Sequence, residues 1–232
     1  MERTWRWFGR NDIITLDMLK QIGVQGVVTA LHDVPLGEVW TRENIHDLRT
    51  FIEAHGLRWS VVESLPVTET IKYAGPDRDE QIEIYKQSMR NLAAEGIHTI
   101  CYNFMPVFDW TRTELARMRP DGSTVLAYTQ EAVDALDPEK MFDSIAGDMN
   151  GTVMPGWEPE RLDRLKELFE MYKDVDAEKL FNNLVYFLEA IGPVCEKYDI
   201  KMGIHPDDPA WPIFGLPRIM TGVILAAGRG FG

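Results

Sequence analysis

His205 is the residue of this sequence whose type and position most favour chemistry. It ends a short predicted strand, residues 201–205 (KMGIH), and runs directly into Pro206, Asp207 and Asp208. Neutral imidazole is a preferred ligand of divalent transition metals, so His205 is a candidate metal ligand. The alternative is a histidine that is hydrogen-bonded at a strand-to-loop turn. The two aspartates are candidate ligands or substrate contacts, or else they form a turn between two prolines.

Other polar side chains follow the ends of predicted strands elsewhere in the chain. A carboxylate at Glu63 could bind a metal, act as a base or hold a loop lysine, and the Asn103 amide could bind a sugar hydroxyl. His32 could face the same edge, and Arg112 could bind a carboxylate through two parallel hydrogen bonds. Each of the four can instead be a satisfied turn, surface or loop residue. Together with Asp207 they form the candidate set for substrate binding.

An alternation of short apolar runs and longer helical patterns must position these side chains. Strands are predicted at residues 5–8, 26–31, 57–62, 98–104 and 201–205. Helices are predicted at residues 14–22, 42–55, 77–95, 161–172 and 177–197. This alternation predicts an α/β protein with a parallel sheet. The strand interiors at residues 27–30 (VVTA) and 99–104 (TICYNF) are apolar on both faces, as is typical of buried parallel strands.

The predicted sheet fits either an open, doubly wound fold or part of an eightfold (β/α) barrel. No glycine-rich phosphate motif follows the first strand, which disfavours a dinucleotide-binding sheet. In a barrel the polar strand ends would meet at the carboxyl-terminal rim, where barrel enzymes carry their active sites. We therefore predict a single TIM-barrel-type domain over residues 1–232, incomplete with about five of eight units. A rim insertion at residues 106–176 follows the fourth strand.

The composition narrows the class of function. The formal net charge is -13 at pH 7, which disfavours nucleic acid as a partner because its phosphates require a basic surface. An anionic substrate would need a local positive site, either a cationic side chain or a metal ion. Two cysteines, no signal peptide and no apolar run near the ~20 residues that span a bilayer predict a cytoplasmic protein without membrane segments.

Longer motifs occur in several parts of the chain. They are residues 6–9 (RWFG), 26–32 (GVVTALH) with Pro35 and 37–40 (GEVW), 61–66 (VVESLP), 101–113 (CYNFMPVFDWTRT), 202–209 (MGIHPDDP) and 211–218 (WPIFGLPR). Together they resemble the mannonate dehydratase family of sugar-acid lyases. The resemblance covers about residues 1–219, and its later motifs are long and specific.

The resemblance implies a barrel of the xylose-isomerase kind that converts D-mannonate into 2-keto-3-deoxy-D-gluconate and water, in hexuronate (glucuronate) catabolism. It also implies a homo-oligomer and Mn²⁺ or Fe²⁺, held by a histidine, a cysteine, a second histidine and an aspartate. His205 matches the first of these ligands. The other ligands and the acid and base residues lie further along the family's chain, so the catalytic residues stay unassigned. Cys101 and Cys195 do not match the ligand cysteine and are predicted to be core residues.

With one ligand matched and the barrel incomplete, the chain by itself is expected to have little or no dehydratase activity. Residues 222–232 (GVILAAGRGFG) resemble the opening of sugar-nucleotide transferases, and we interpret this likeness as chance or replaced sequence. Two other functions stay open. One is a related metal-dependent sugar isomerase or epimerase, which product analysis would distinguish. The other is a non-catalytic fragment that occupies a partner's interface, which metal content would distinguish.

Overall fold

The computed structural model describes residues 1–134 and 162–220 of the 232-residue chain. The chain forms two compact units. Unit 1 comprises Met1–Phe104 and Asn183–His205, and unit 2 comprises Met105–Asn182 and Pro206–Gly232. The predicted insertion at 106–176 falls within unit 2, and its residues 135–161 lie outside the described residues, as does the tail 222–232. A single domain over the whole chain stays a prediction.

Unit 1 is built on a five-stranded parallel sheet. Its strands are β1 (Thr4–Arg6), β2 (Gly26–Thr29), β3 (Arg58–Glu63), β4 (Thr99–Tyr102) and β7 (Lys201–Ile204). They lie in the order β1-β2-β3-β4-β7, and each neighbouring pair is parallel. The α/β class and the parallel sheet predicted from the alternating pattern are therefore confirmed.

Helices lie between consecutive strands of this sheet along the chain. They are α1 (Leu16–Gln21), α2 (Arg42–Ala54), α3 (Glu69–Tyr73), α4 (Arg78–Ala94) and α7 (Ala177–Tyr198). The hydroxyls of Thr15 and Thr41 accept hydrogen bonds from the main-chain N–H groups of Met18 and Asn44, which fixes the starts of α1 and α2. The helix α3 was not predicted, because five residues are too few to show helical periodicity.

The two faces of the sheet differ in how they are covered. One face is buried under helices, and there the ring of Phe187 in α7 lies 5.9 Å from that of Tyr102. The buried residues of this face are Val27, Trp59, Val62, Ile100 and Tyr102. The opposite face, called the open face below, carries Arg6, Val28, Glu63, Cys101 and Gly203, all half-buried or exposed. The described residues cover only one of the two faces of the sheet. The prediction that the strands are buried on both faces is therefore wrong for the part of the chain that the structure describes.

Unit 2 contains an antiparallel hairpin, β5 (Glu114–Met118) and β6 (Thr124–Ala127), followed by α5 (Gln130–Asp134) and α6 (Leu162–Tyr172). The hairpin and α5 were not predicted, although an Asp-Gly pair at 121–122 is a known turn signal. The buried Phe108 ring packs against Phe169 and Phe214, at centroid distances of 6.0 and 5.8 Å. No helix in the part of the chain that the structure describes is long and apolar enough to cross a membrane.

Candidate functional site

Polar residues at the carboxyl ends of the strands in unit 1 lie on the open face of the sheet. The backbone register pairs Arg6 with Val28, Val28 with Val61, and Glu63 with Cys101. Paired residues of neighbouring strands point to the same face, as do residues two apart in one strand. Arg6, Glu63 and Cys101 therefore share this face.

Asn103 and His205 continue the same pattern on the next two strands. The His205 N–H donates a hydrogen bond to the Tyr102 carbonyl at 2.7 Å, which extends the pairing of β4 with β7 by one residue. Strand alternation then places His205 on the side of Gly203, and Asn103 on the side of Cys101. Both residues are half-buried. The structure thus brings Asn103 and His205 to neighbouring strand ends.

Arg6 places a positive charge on the open face. It is half-buried, and its guanidinium donates a hydrogen bond to the main-chain carbonyl of Glu63. The same guanidinium lies 5.0 Å from the centre of the Phe8 ring. Loss of hydration lowers the pKa of Arg6, while Glu63 and Cys101 act in the opposite direction. Arginine nevertheless stays charged at neutral pH, because its unperturbed pKa lies far above 7.

His32 follows β2 and borders a cavity of about 270 Å³. The residue is exposed overall, but its ring lies 6.5 Å from that of Phe8. Partial loss of hydration lowers the pKa of His32 and is the largest influence on it. The positive charge of Arg6 lowers this pKa further, whereas Asp33 raises it. The imidazole is therefore biased toward its neutral form, which can donate one hydrogen bond and accept another. The polar groups around the cavity are Arg10, Asn11, His32, Asp33, Asn44 and Asp47.

Cys101 is not the core residue that the sequence predicted. It is half-buried on the open face, whereas Ile100 and Tyr102 beside it are buried. Burial raises the pKa of the Cys101 thiol, Glu63 raises it further, and Arg6 counteracts both. The thiol is thus largely protonated at neutral pH and is a weak nucleophile. Cys195, also predicted to be core, is half-buried too, and burial raises its pKa.

The other two candidates, Arg112 and Asp207, belong to unit 2 and make contacts within it. The Nη1 and Nη2 groups of Arg112 donate to the two carboxylate oxygens of Asp208 at 2.8 and 2.5 Å. Asp207 is 4% exposed, and its Oδ2 accepts hydrogen bonds from the N–H groups of Ile219 at 2.6 Å and Met220 at 2.8 Å. These contacts favour roles in holding loops. A substrate role for either residue stays a prediction.

Two charged residues with defined contacts were not singled out from the sequence. Arg218 is 4% exposed and donates to the Phe108 carbonyl at 3.2 Å. Arg6 is the last residue of β1 and lies between two tryptophans in the sequence. A cation between two tryptophans in a predicted strand was a usable signal for Arg6. For Arg218 the sequence offered no comparable signal.

The described residues do not by themselves form a metal site. In residues 1–134 and 162–220, no three histidine, cysteine, aspartate or glutamate side chains converge in a way that could hold a metal ion. Protein metal sites generally use three or four such ligands. His205 is therefore a single candidate ligand, and a divalent ion there would need further ligands.

Comparison with known proteins shows what the chain is similar to. Residues 1–224 match the family model described as D-mannonate dehydratase (UxuA). Mannonate dehydratases from Brachyspira hyodysenteriae and Bacillus subtilis are 57% and 53% identical, covering 95% and 96% of this chain and 63% and 62% of those proteins. A crystal structure of the mannonate dehydratase from Streptococcus suis serotype 2 aligns with a TM-score of 0.84 and 44% identity, over 98% of this chain and 59% of that one. The chain therefore spans about three fifths of the length of these relatives.

Proposed function

The chain belongs to the D-mannonate dehydratase family, and we propose that it serves the family's reaction, the conversion of D-mannonate into 2-keto-3-deoxy-D-gluconate and water in hexuronate catabolism. The observation that carries this proposal is the match over residues 1–224, with 57% identity to one mannonate dehydratase. The matched range includes every strand end of unit 1 that carries a candidate residue.

The reaction sets clear demands on a binding site. A base removes the proton from the carbon next to the carboxylate, and an acid protonates the hydroxyl that leaves the following carbon as water. The resulting enol becomes the 2-keto product. Negative charge grows on the carboxylate as the proton leaves, so fixed hydrogen-bond donors and cations beside that group lower the barrier.

Unit 1 supplies groups that can hold a polyhydroxylated acid. The Glu63 carboxylate accepts hydrogen bonds, the Asn103 amide both donates and accepts them, and neutral His32 does the same. All three lie at or just after the carboxyl ends of strands of the sheet. For Arg112 and Asp207, a substrate role would require giving up the contacts that they make within unit 2.

We further propose that the sheet is part of an eightfold (β/α) barrel and that His205 is one ligand of Mn²⁺ or Fe²⁺. The parallel strand order and the polar residues at the carboxyl ends of the strands support this architecture. A bound ion would supply a Lewis acid, and its other ligands would come from outside the described residues. A homo-oligomer and a cytoplasmic location are proposed from the family resemblance, and the two free cysteines are consistent with that location.

The test is the formation of 2-keto-3-deoxy-D-gluconate from D-mannonate with Mn²⁺ or Fe²⁺ added. We expect the wild-type chain to bind D-mannonate with little or no turnover, and any product that it does form should be lost in His205→Ala and kept in the control. His98→Ala is the matched control, because His98 precedes β4 at the opposite end of the sheet, where its Nδ1 lies 3.0 Å from the Tyr198 carbonyl.

The other outcomes of this assay are equally informative. Aldose–ketose exchange without loss of water would indicate an isomerase. Binding of D-mannonate without turnover would agree with the expectation that the chain alone has little activity. Neither binding nor product would contradict the proposed function.

A further inference from the structure

We propose that Arg6 binds the carboxylate of the sugar acid and thereby selects acids over neutral sugars. This inference rests on the proposed function, because it assigns the residue that holds the charged end of the proposed substrate. The need for such a residue follows from charge. A chain with a formal net charge of -13 repels an anion unless the binding surface carries a local cation.

The guanidinium of Arg6 has donors to spare. A guanidinium carries about five N–H donors in a planar fork, and in the described part of the chain Arg6 uses this fork on one main-chain carbonyl, that of Glu63. Two other arginines of unit 1 are already paired with carboxylates, Arg10 with Asp47 at 2.7 Å and Arg58 with Glu2 at 2.9 Å. No carboxylate of the described residues pairs with Arg6 in this way.

The open face also provides space for a ligand, both at β7 and near Arg6. Gly203 is paired with Cys101, which is paired in turn with Glu63, the residue whose carbonyl Arg6 contacts. A methyl group added to Gly203 would meet no atom within 4 Å in the part of the chain that the structure describes. The open face at β7 is therefore not filled by these residues. Near β1, the Phe8 ring that lies 5.0 Å from the Arg6 guanidinium lines a cavity of about 270 Å³, which provides space beside Arg6.

The surroundings of Arg6 strengthen its attraction for an anion. Arg6 is half-buried, and its guanidinium packs near the Phe8 ring. A partly dehydrated cation binds a carboxylate more strongly than a fully hydrated one, because less water competes and the local dielectric constant is lower. The lowered pKa of Arg6 has the same origin, loss of hydration, and leaves the group charged at neutral pH.

The test compares a sugar acid with a neutral sugar of the same carbon skeleton. The affinities of the full chain for D-mannonate and D-mannitol are measured with Mn²⁺ present, by ligand-observed NMR, for the wild type, Arg6→Gln and Arg6→Lys. Arg58→Gln is the matched control, because it removes an exposed arginine of the same sheet at the amino end of β3, away from the carboxyl ends of the strands.

We expect Arg6→Gln to weaken D-mannonate binding by about 30-fold or more, as loss of a partly buried charge partner does, and to leave D-mannitol binding unchanged. Arg6→Lys keeps the charge without the planar fork and retains part of the preference for the acid. If Arg6→Gln does not fold, the test relies on Arg6→Lys. We then expect a smaller ratio of D-mannonate affinity to D-mannitol affinity for this variant than for the wild type. Arg58→Gln behaves as wild type.

Two results would overturn the role of Arg6 without affecting the proposed function. One is wild-type affinity of Arg6→Gln for D-mannonate, and the other is an equal loss for both ligands, which indicates a structural role. A wild-type chain that binds neither ligand would remove the proposed function and the inference together. Wild-type binding of D-mannonate that survives loss of Arg6 would leave the proposed function standing.

Discussion

The charged residues on the open face of unit 1 and those in the loops of unit 2 are used in different ways. In unit 2, Arg112 and Asp208 meet through two hydrogen bonds, and the buried Asp207 carboxylate accepts from two main-chain N–H groups. In unit 1, the half-buried Arg6 contacts one carbonyl and pairs with no carboxylate among the described residues. A charge whose partners come from its own chain holds that chain in place, whereas a charge with unused donors is available to a ligand.

Exposure follows the same division. Asp207 and Arg218 of unit 2 are each only 4% exposed, so any change there leaves buried polar groups without partners. Arg6, Glu63 and Cys101 on the open face of unit 1 are half-buried, and water can replace a lost contact. Substitutions in unit 2 should therefore reduce stability, and substitutions on the open face should alter binding and reactivity.

The largest expected effect is that of Asp207→Ala. This change removes the acceptor of two buried N–H groups, so we expect the free energy of unfolding to fall by about 2–4 kcal/mol. Urea unfolding measures the loss, and faster amide hydrogen exchange at Ile219 and Met220 locates it. The control is Asp174→Ala, which removes an exposed carboxylate of the same unit and should change stability by no more than about 0.5 kcal/mol. Similar losses in the two variants would contradict the assignment of Asp207 as a loop anchor.

The next effect in size is the coupling between Arg112 and Asp208. Their side chains are 20% and 32% exposed and form two parallel hydrogen bonds, so a double-mutant cycle with Arg112→Met and Asp208→Asn should give about 1–2 kcal/mol. The more exposed pair of Arg117 and Glu114 provides a matched cycle in the same unit and should show no measurable coupling. Equal coupling in the two cycles would mean that the Arg112 pair is an ordinary surface contact.

A smaller effect should appear in the reactivity of Cys101. Glu63 raises the pKa of this thiol and Arg6 lowers it. Glu63→Gln should therefore lower the pKa of Cys101, increase the thiolate fraction at pH 8 and speed alkylation by iodoacetamide about threefold. Arg6→Gln should slow the same reaction. Mass spectrometry follows Cys101 and Cys195 separately, and a parallel change in both would show that the effect is not electrostatic coupling on the open face.

The smallest effect is expected for the stability of Arg6→Gln. Only one hydrogen bond, to the main-chain carbonyl of half-buried Glu63, is lost, so the free energy of unfolding should fall by less than ~1 kcal/mol. Urea unfolding of this variant beside Arg112→Met checks the prediction. A larger loss for Arg6→Gln than for Arg112→Met would reverse the comparison between the units and assign Arg6 a structural role.

The regular elements were predictable because their signals are local. Ile45, Leu48 and Ile52 recur at helical spacing, and they are the buried residues of α2. Every strand of the parallel sheet was predicted to within two residues of its observed bounds. The hairpin of β5 and β6 was missed because its residues are mostly exposed and carry little apolar alternation.

The candidate site was predictable only in part. The positions of His205, Glu63 and Asn103 at strand ends followed from the alternation of strands and helices. The partners of Arg112 and Asp207 did not, because Arg112 meets a carboxylate 96 residues away and Asp207 meets N–H groups 12 and 13 residues away. Residue type alone does not show whether a charged group already has a partner.

The sequence by itself determined the α/β class, the strands that end in polar residues and, through its motifs, the membership of a sugar-acid lyase family. Hydrophobic periodicity and motif spacing depend on residues that are close in the chain, so they can be recognised without knowledge of the three-dimensional structure. Only the tertiary structure decided which charged side chains pair with groups of the described chain and which keep hydrogen-bond donors for a ligand. It paired Arg112 with Asp208, buried Asp207, and left Arg6 on the open face with donors to spare. That distinction depends on contacts between residues far apart in the chain, which form only when the sheet and the loops are in place.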